Sequence, residues 1–148
     1  MMYESDTNDR AVSNPPPRVA NFLLAQFAVV SRLTGNVSLT EILEGFNVTA
    51  FPTLLSFTIF AQFEPYDSSA ATVSCSLVDP RGVTLIKTPV VTMPIARRDA
   101  RIATLLQIGQ VSCTVAGRYD VNLFFNDTHV ATQPLQLNLI AALPAERY

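Results

Sequence analysis

The sequence has little charge, a single histidine and no tryptophan. Asp, Glu, Lys and Arg make up 15% of its 148 residues, and glycine occurs only five times. We find no glycine-rich phosphate loop, and a net charge of −2 gives no general attraction to nucleic acid. Charged residues normally form about a quarter of a globular chain. We therefore expect a protein partner, or further copies of this chain, to cover part of the surface.

The residues that carry chemistry are too few and too scattered to predict a catalytic centre. A nucleophile needs a base and an orienting group beside it, and His129, the one histidine, falls near a predicted hairpin tip. Zinc requires about four Cys or His ligands. Calcium requires clustered oxygens, and the candidates at or near predicted turns are Asp67, Asp79, Asp120 and Asp127. They do not occur as D-x-D pairs, and turn chemistry accounts for Asp79 and Asp127. The sequence predicts no enzyme, no metal and no cofactor.

Two cysteines, Cys75 and Cys113, lie within alternating apolar segments. Buried reduced thiols are the favoured interpretation, because free cysteine is among the most buried residue types. The alternative is a bond between two sheets, which would need oxidising surroundings and Cα atoms within about 7 Å. The beginning of the chain lacks the basic and apolar regions of a secretory signal. Residues 22–30, the longest apolar stretch, are too few to span a bilayer. We predict a cytoplasmic protein without a membrane partner.

From residue 21 onward, apolar residues recur mostly at a spacing of two, between turns rich in Gly, Pro, Asn and Asp. This pattern is typical of many short strands. It predicts an all-β fold, an antiparallel two-sheet sandwich of about seven or eight strands. The candidate segments are 21–32, 37–46, 53–63, 70–78, 83–86, 90–92, 102–113, 118–125 and 129–140.

Two of these segments are ambiguous. Residues 21–32 are apolar on both faces, which predicts a strand buried on both sides, or a helix. In residues 37–46, the side chains of Leu39, Ile42, Leu43 and Phe46 match helical spacing, while alternation within the same residues matches a strand. We favour the strand because of its context. Gly45 then serves at a bulge, or in the helical alternative after the helix end.

The turns and the ends of the chain have clearer signals. Asp79-Pro80-Arg81-Gly82 predicts a tight turn, and Asn126-Asp127 predicts a hairpin, because both residue types tolerate left-handed conformations. Residues 90–92 lie between prolines, which predicts a sheet edge, and Gly109 predicts a bulge. Residues 1–18 are polar and end in three prolines, which predicts a disordered arm. The sandwich then spans residues 19–143, and a tail spans 144–148.

Two groups of motifs resemble known folds. Gly117, Arg118, Tyr119 and Asp120 begin a segment that resembles the late strands of immunoglobulin-like sandwiches, in which a tyrosine bonds back across a corner. This resemblance implies a structural tyrosine corner at Tyr119. In antibody domains a cysteine follows two residues later, whereas this chain has Val121.

The second resemblance is carried by residues 38–46, by Phe51-Pro52 and by residues 78–82. These segments look like a family of small bacterial proteins of unknown function. The resemblance implies an immunoglobulin-like sandwich that opens with an N-terminal strand, a glycine-led second strand and a Phe-Pro corner. It implies no activity.

The function predicted from these observations is a non-catalytic protein-interaction or assembly module that binds a protein partner or further copies of itself. Arg97, Arg98 and Arg101 are its candidate partner contacts, although a solvated connector explains them more simply. The alternatives are a structural component of a phage particle or injection-type assembly, and a ligand-binding or enzymatic domain with an unrecognised site.

Overall fold

The computed structural model describes residues 15–141, and within this range the chain folds into ten strands in two facing sheets. Residues 15–18 form no strand. The rest of the predicted arm and the tail at 144–148 lie outside the described residues. The strands are β1 (Val19–Val30), β2 (Val37–Ile42), β3 (Gly45–Val48), β4 (Thr53–Phe63), β5 (Ala70–Val78), β6 (Thr84–Lys87), β7 (Val91–Pro94), β8 (Ile102–Cys113), β9 (Gly117–Phe125) and β10 (Thr128–Leu139).

Sheet A has four strands in the order β2-β1-β4-β8, and sheet B has the order β3-β10-β9-β5-β6. Strand β7 also pairs with β5. It pairs with residues 70–73 of β5, whereas β6 pairs with residues 76–78 on the same edge. Neighbouring strands are antiparallel apart from β3 and β10, which are parallel. The predicted all-β sandwich of the immunoglobulin-like kind is confirmed.

The core lies between the sheets, where alternate side chains of the long strands point inward. The alternation predicted for residues 53–63 buries Phe57, Ile59 and Phe63 from β4. Sheet B contributes further fully buried residues: Val73, Cys75, Leu77, Tyr119, Val121, Leu123, Leu135 and Leu137. Each large buried aliphatic or aromatic side chain contributes about 1.5–3 kcal/mol by leaving water. This layer therefore supplies the main driving force for folding.

The ambiguous segment 37–46 is extended, as favoured, but it forms two strands in different sheets. Strand β2 pairs with β1 in sheet A, and β3 pairs with β10 in sheet B. Glu41, the penultimate residue of β2, has a left-handed φ of 57°, and Leu43 and Glu44 connect the two strands. Gly45 begins β3, and a Cβ at this position would clash with the backbone carbonyl of Gln136 on β10. Glycine is required here for close approach of two backbones, and not for a bulge or a helix end.

The structure has ten strands, whereas the sequence predicted about seven or eight; dividing this one segment turns the nine candidate segments into ten strands. The candidate segments 83–86 and 90–92 correspond to β6 and β7, which pair separately with β5 along one edge of sheet B. The prolines at either end of 90–92 agree with this position at an edge. The predicted bulge in β8 is present, since the two residues Gly109 and Gln110 lie opposite the single residue Ser56 of β4.

Both predicted turns form. At residues 79–82, the amide of Gly82 donates to the carbonyl of Asp79 at 2.9 Å, and Gly82 has a φ of 86°. Asn126 and Asp127 have φ of 48° and 65° and join β9 to β10. Two successive left-handed residues match the twist of the flanking strands.

Candidate interaction surface

A long hairpin departs from the edge of sheet A. Strand β1 pairs with β4 from Val19 to Ala25, and from Ala25 to Val30 it pairs with β2. We call residues 25–42 the apolar hairpin. It carries five large apolar side chains that are exposed: Phe27, Val29, Val30, Leu33 and Ile42.

Exposure of these side chains contradicts the expectation that residues 21–32 are buried on both sides. The first half of β1 buries Phe22 and Leu24 against the core, but Phe27 is 59% exposed. The physical reason is that β1 extends past its pairing with β4. Beyond Ala25 the strand has left the layer between the sheets, so its apolar side chains face outward.

The end of the hairpin and residues of strands β4 and β8 together line a partly open cavity of about 370 Å³. We call this space the hairpin groove. Its lining residues come from the hairpin and from strands β4 and β8: Val30, Gly35, Val37, Phe60, Ala103, Thr104 and Leu105. All of them are uncharged, which makes the groove suited to an apolar group.

The outer face of sheet A continues this uncharged surface. Register places Leu23, Phe60 and Leu105 side by side across β1, β4 and β8. Polar groups on this face are amides and hydroxyls, such as Thr58, whose hydroxyl donates to Gln107 Oε1 at 3.0 Å. The four strands of sheet A contain a single charged residue, Glu41.

The outer face of sheet B differs, because a chain of hydrogen bonds crosses it. The hydroxyl of Thr132 donates to Asn122 Oδ1 at 2.6 Å and lies 2.8 Å from His129 Nε2. Because the Thr132 hydroxyl donates its only proton to Asn122, the Nε2–H group of His129 donates to the Thr132 oxygen. Lys87 Nζ lies 5.5 Å from the centre of the Phe124 ring on the same face. His129 therefore belongs to a polar surface network.

The three candidate arginines lie in the connector between β7 and β8, and each pairs with a carboxylate of this chain. Arg101 Nη2 lies 3.0 Å from Glu64 Oε2 and Arg98 Nη1 lies 3.2 Å from Asp67 Oδ1. Arg97 pairs with the nearby Asp99. Exposed pairs of this kind contribute at most about 1 kcal/mol each. Contact of these arginines with a partner stays a prediction.

The two cysteines are free and buried, Cys75 on β5 and Cys113 on β8 in the opposite sheet. Burial raises the pKa of Cys75 to about 12. Burial also raises the pKa of Cys113, as does the Asp79 carboxylate, while a hydrogen bond with Tyr119 works in the opposite direction. Because the thiolate is the reactive form, both thiols are suppressed as nucleophiles and behave as core residues.

Tyr119 lies next to Cys113, and its hydroxyl donates to the carbonyl of Val115 at 2.6 Å. This is the bond of a tyrosine corner. Burial, the main cause, raises the pKa of this phenol.

In the adjacent turn, burial of the Asp79 carboxylate by itself raises its pKa. Hydrogen bonds from the Val83 amide and from Arg81 outweigh this effect, so the pKa lies below its ordinary value. The Arg81 guanidinium is 2.7 Å away. These groups fix the chain path at one end of the sandwich.

The structure does not bring the predicted chemistry-bearing residues into one site, although the Asp79 carboxylate lies near enough to Cys113 to act on its thiol. His129 lies on the outer face of sheet B, the cysteines lie in the core, and Asp79, Asp120 and Asp127 lie apart along the chain's turns and strands. Within residues 15–141, no three His, Cys, Asp or Glu side chains form a group that could hold a metal ion. The same residues contain no helix that could cross a bilayer.

The apolar hairpin is the feature that sequence reasoning missed. Its signal was present, since residues 22–30 are apolar on both faces and the only charged residues of the hairpin are Arg32 and Glu41. A strand that is apolar on both faces is either enclosed by the fold or exposed on one side. The periodicity cannot distinguish these cases.

A model of a family of unknown function, DUF6941, matches residues 20–138. No match is found among curated proteins. Among solved structures, the chain is similar to part of the alkylpurine DNA glycosylase AlkC of Pseudomonas fluorescens, bound to DNA containing an abasic site analogue. The identity is 10% and the TM-score is 0.52, with 89% of this chain and 33% of the glycosylase covered.

An immunoglobulin-like protein of Pseudomonas aeruginosa matches at 13% identity and a TM-score of 0.35, with 82% of this chain and 95% of that chain covered. The chain thus spans a third of the length of the glycosylase and most of the immunoglobulin-like protein. At these identities the similarity to the glycosylase concerns the fold alone.

Proposed function

We propose that this chain, which belongs to the family of unknown function DUF6941, is a non-catalytic module that binds another protein chain through the apolar hairpin and the outer face of sheet A. The observation that carries the proposal is the single charged residue in the four strands of sheet A, together with five exposed apolar side chains on one hairpin. Exposed apolar side chains grouped on one hairpin indicate a site of association.

The chemistry of this surface favours a protein partner over other classes. Nucleic acid is bound mainly through contacts from Lys and Arg to phosphates, whereas the apolar hairpin offers only Arg32. The core of a protein interface is depleted of charge and enriched in aromatic and apolar side chains. Phe27 and Leu33 fit that description. The proposal includes a cytoplasmic setting, which the two free buried thiols support.

Photo-crosslinking in the native host tests the proposal with two matched positions. One variant carries a benzophenone amino acid in place of Phe27, and the control carries it in place of Phe124, an aromatic residue on the outer face of sheet B. We expect the probe at Phe27 to form a covalent adduct with a protein chain and the probe at Phe124 to form none.

Two crosslinking results would contradict the proposal. An adduct only from Phe124 would move the interface to sheet B and contradict the proposal. Absence of adducts from both positions would contradict a protein-binding role for either face.

A further inference from the structure

We propose that the group that fills the hairpin groove is Leu33 of a second copy of this chain, in a two-fold dimer in which each copy inserts its hairpin tip into the other. This inference rests on the proposed function and names its partner.

The tip presents one apolar side chain in a fixed position. Leu33 is 97% exposed at the end of the apolar hairpin. The loop around it is held by its own hydrogen bonds, from the Gly35 amide to the Ser31 carbonyl and from the Ser31 amide to the Asn36 carbonyl, both at 2.8 Å. The Leu33 amide also donates to Ser31 Oγ at 3.2 Å. A preorganised tip loses little conformational entropy on binding.

The groove offers a complementary apolar space. Its volume of about 370 Å³ accepts a leucine side chain, and its walls include Val30, Val37, Phe60 and Leu105. Burial of a fully exposed leucine in such a site is favourable because its apolar surface leaves water.

The relative position of tip and groove allows the contact to close at two copies. Gly35 and Val30 line the groove and lie two and three residues from Leu33 along the same hairpin. A two-fold axis beside the tip would therefore place Leu33 of each copy against the hairpin groove of the other copy at the same time. Such self-complementary contacts produce closed dimers, while a distant tip and groove would produce open chains.

The scarcity of charge makes this face compatible with its own copy. Apart from Arg32 and Glu41, which have opposite signs, the hairpin and the four strands of sheet A are uncharged, so little like-charge repulsion opposes a second copy. The polar groups on sheet A are instead amides and hydroxyls, such as Asn21 and Gln62, whose side chains are 2.7 Å apart. Amides both donate and accept, so they can face identical groups.

The face approaches the size of one standard interface. Strands β1, β2, β4 and β8 have 12, 6, 11 and 12 residues. With a rise of about 3.3 Å per residue and a strand spacing of about 4.8 Å, these four strands cover roughly 650 Å² in projection. A standard interface buries about 800 Å² per partner. Because side chains protrude from the sheet, the surface that a partner can bury is larger than the projected area.

Sedimentation velocity on the full chain tests the inference with a pair of variants. We expect wild type to form a dimer at tens of micromolar and L33D to weaken the dimer at least about tenfold, because a charge replaces a buried leucine. The control is V90D, an equally drastic change at an exposed valine before β7 of sheet B. It should dimerise like wild type, and unchanged melting of L33D shows an intact fold.

Mixing two cysteine variants tests the predicted geometry. A tagged chain carrying L33C is mixed with an untagged chain carrying A103C under oxidising conditions, while Cys75 and Cys113 remain buried. We expect a disulfide-linked product that contains one chain of each kind. A wild-type monomer up to about 100 µM, a dimer unaffected by L33D, or absence of the mixed product would overturn the inference.

The two proposals fail in different ways. A monomeric wild type whose probe at Phe27 still forms an adduct with a different protein overturns the second copy but keeps the protein-binding function. A monomer without adducts overturns both. A monomer that instead cosediments with lipid vesicles also overturns both and assigns the hairpin to a membrane surface.

Discussion

Two hairpins of this sandwich have similar apolar content, but one buries its apolar side chains and the other exposes them. The β9–β10 hairpin turns tightly at Asn126 and Asp127 and buries Leu123 and Leu135 completely. The apolar hairpin turns through a longer loop at residues 31–36 and leaves Phe27 exposed. The difference teaches that an apolar strand stabilises a fold only where a second sheet lies above it. Elsewhere the same side chains are available to another molecule.

The largest expected difference between the two hairpins concerns thiol reactivity. Burial raises the pKa of Cys75 from 9.0 to about 12, so at pH 8 its thiolate is about a thousandfold scarcer than that of an exposed thiol. In a V29C variant, a thiol reagent should modify one thiol per chain rapidly and two more only in guanidinium chloride. Rapid modification of Cys75 in the native state would contradict its burial.

The sign of the corresponding pH dependence follows from the direction of this shift. Because the folded-state pKa is the higher one, the thiol is protonated in both states below about pH 9, and its full contribution to stability is present there. As the pH rises from about 9 toward 12, the unfolded chain ionises first. The stability contributed by Cys75 is therefore lost over this alkaline range.

Truncation of an apolar side chain should affect the two hairpins very differently. We expect L123A to lower the free energy of unfolding by about 3 kcal/mol, because it leaves a cavity in the fully packed core. The matched change V29A on the apolar hairpin should change it by less than about 0.5 kcal/mol. Urea denaturation measures both. A comparable loss in V29A would show that the hairpin supports the fold.

The turns provide a smaller contrast. Asn126 has a left-handed φ, its Oδ1 accepts from the Thr72 amide at 2.8 Å, and its Nδ2 donates to Tyr66 Oη at 3.2 Å. We expect N126A to cost about 2 kcal/mol by denaturant titration, from backbone strain and lost bonds. N36A in the exposed loop of the apolar hairpin should cost less than about 0.5 kcal/mol. Equal effects would refute the difference between the turns.

The smallest expected effect concerns the tyrosine corner. Y119F removes the hydroxyl that donates to the Val115 carbonyl and keeps the buried ring. We expect a loss of about 1 kcal/mol in the free energy of unfolding, with little change in the near-ultraviolet spectrum from the remaining aromatic residues. A loss as large as that of L123A would mean that this one bond, and not the packed layer, holds β9 in place.

Parts of the fold were predictable because their determinants are local. Alternation over residues 53–63 and 70–78 predicted strands whose alternate apolar residues face the core, although β5 also buries Ser74 and Ser76. The turn at Asp79 to Gly82 follows from proline and glycine geometry. The candidate site was predictable only as composition, since low charge indicated a covered surface without giving its position. Arg97, Arg98 and Arg101, the candidate contacts chosen from the sequence, pair with carboxylates of this chain, and their contact with a partner stays a prediction.

The sequence by itself determined the strand period, the two tight turns and the shortage of charge, because these depend on neighbouring residues. Only the tertiary structure decided that residues 37–46 divide between two sheets, that Gly45 lies against Gln136, and that the second half of β1 passes beyond β4. These features depend on which distant strands meet. A repeat of two specifies the faces of a strand but not what covers them.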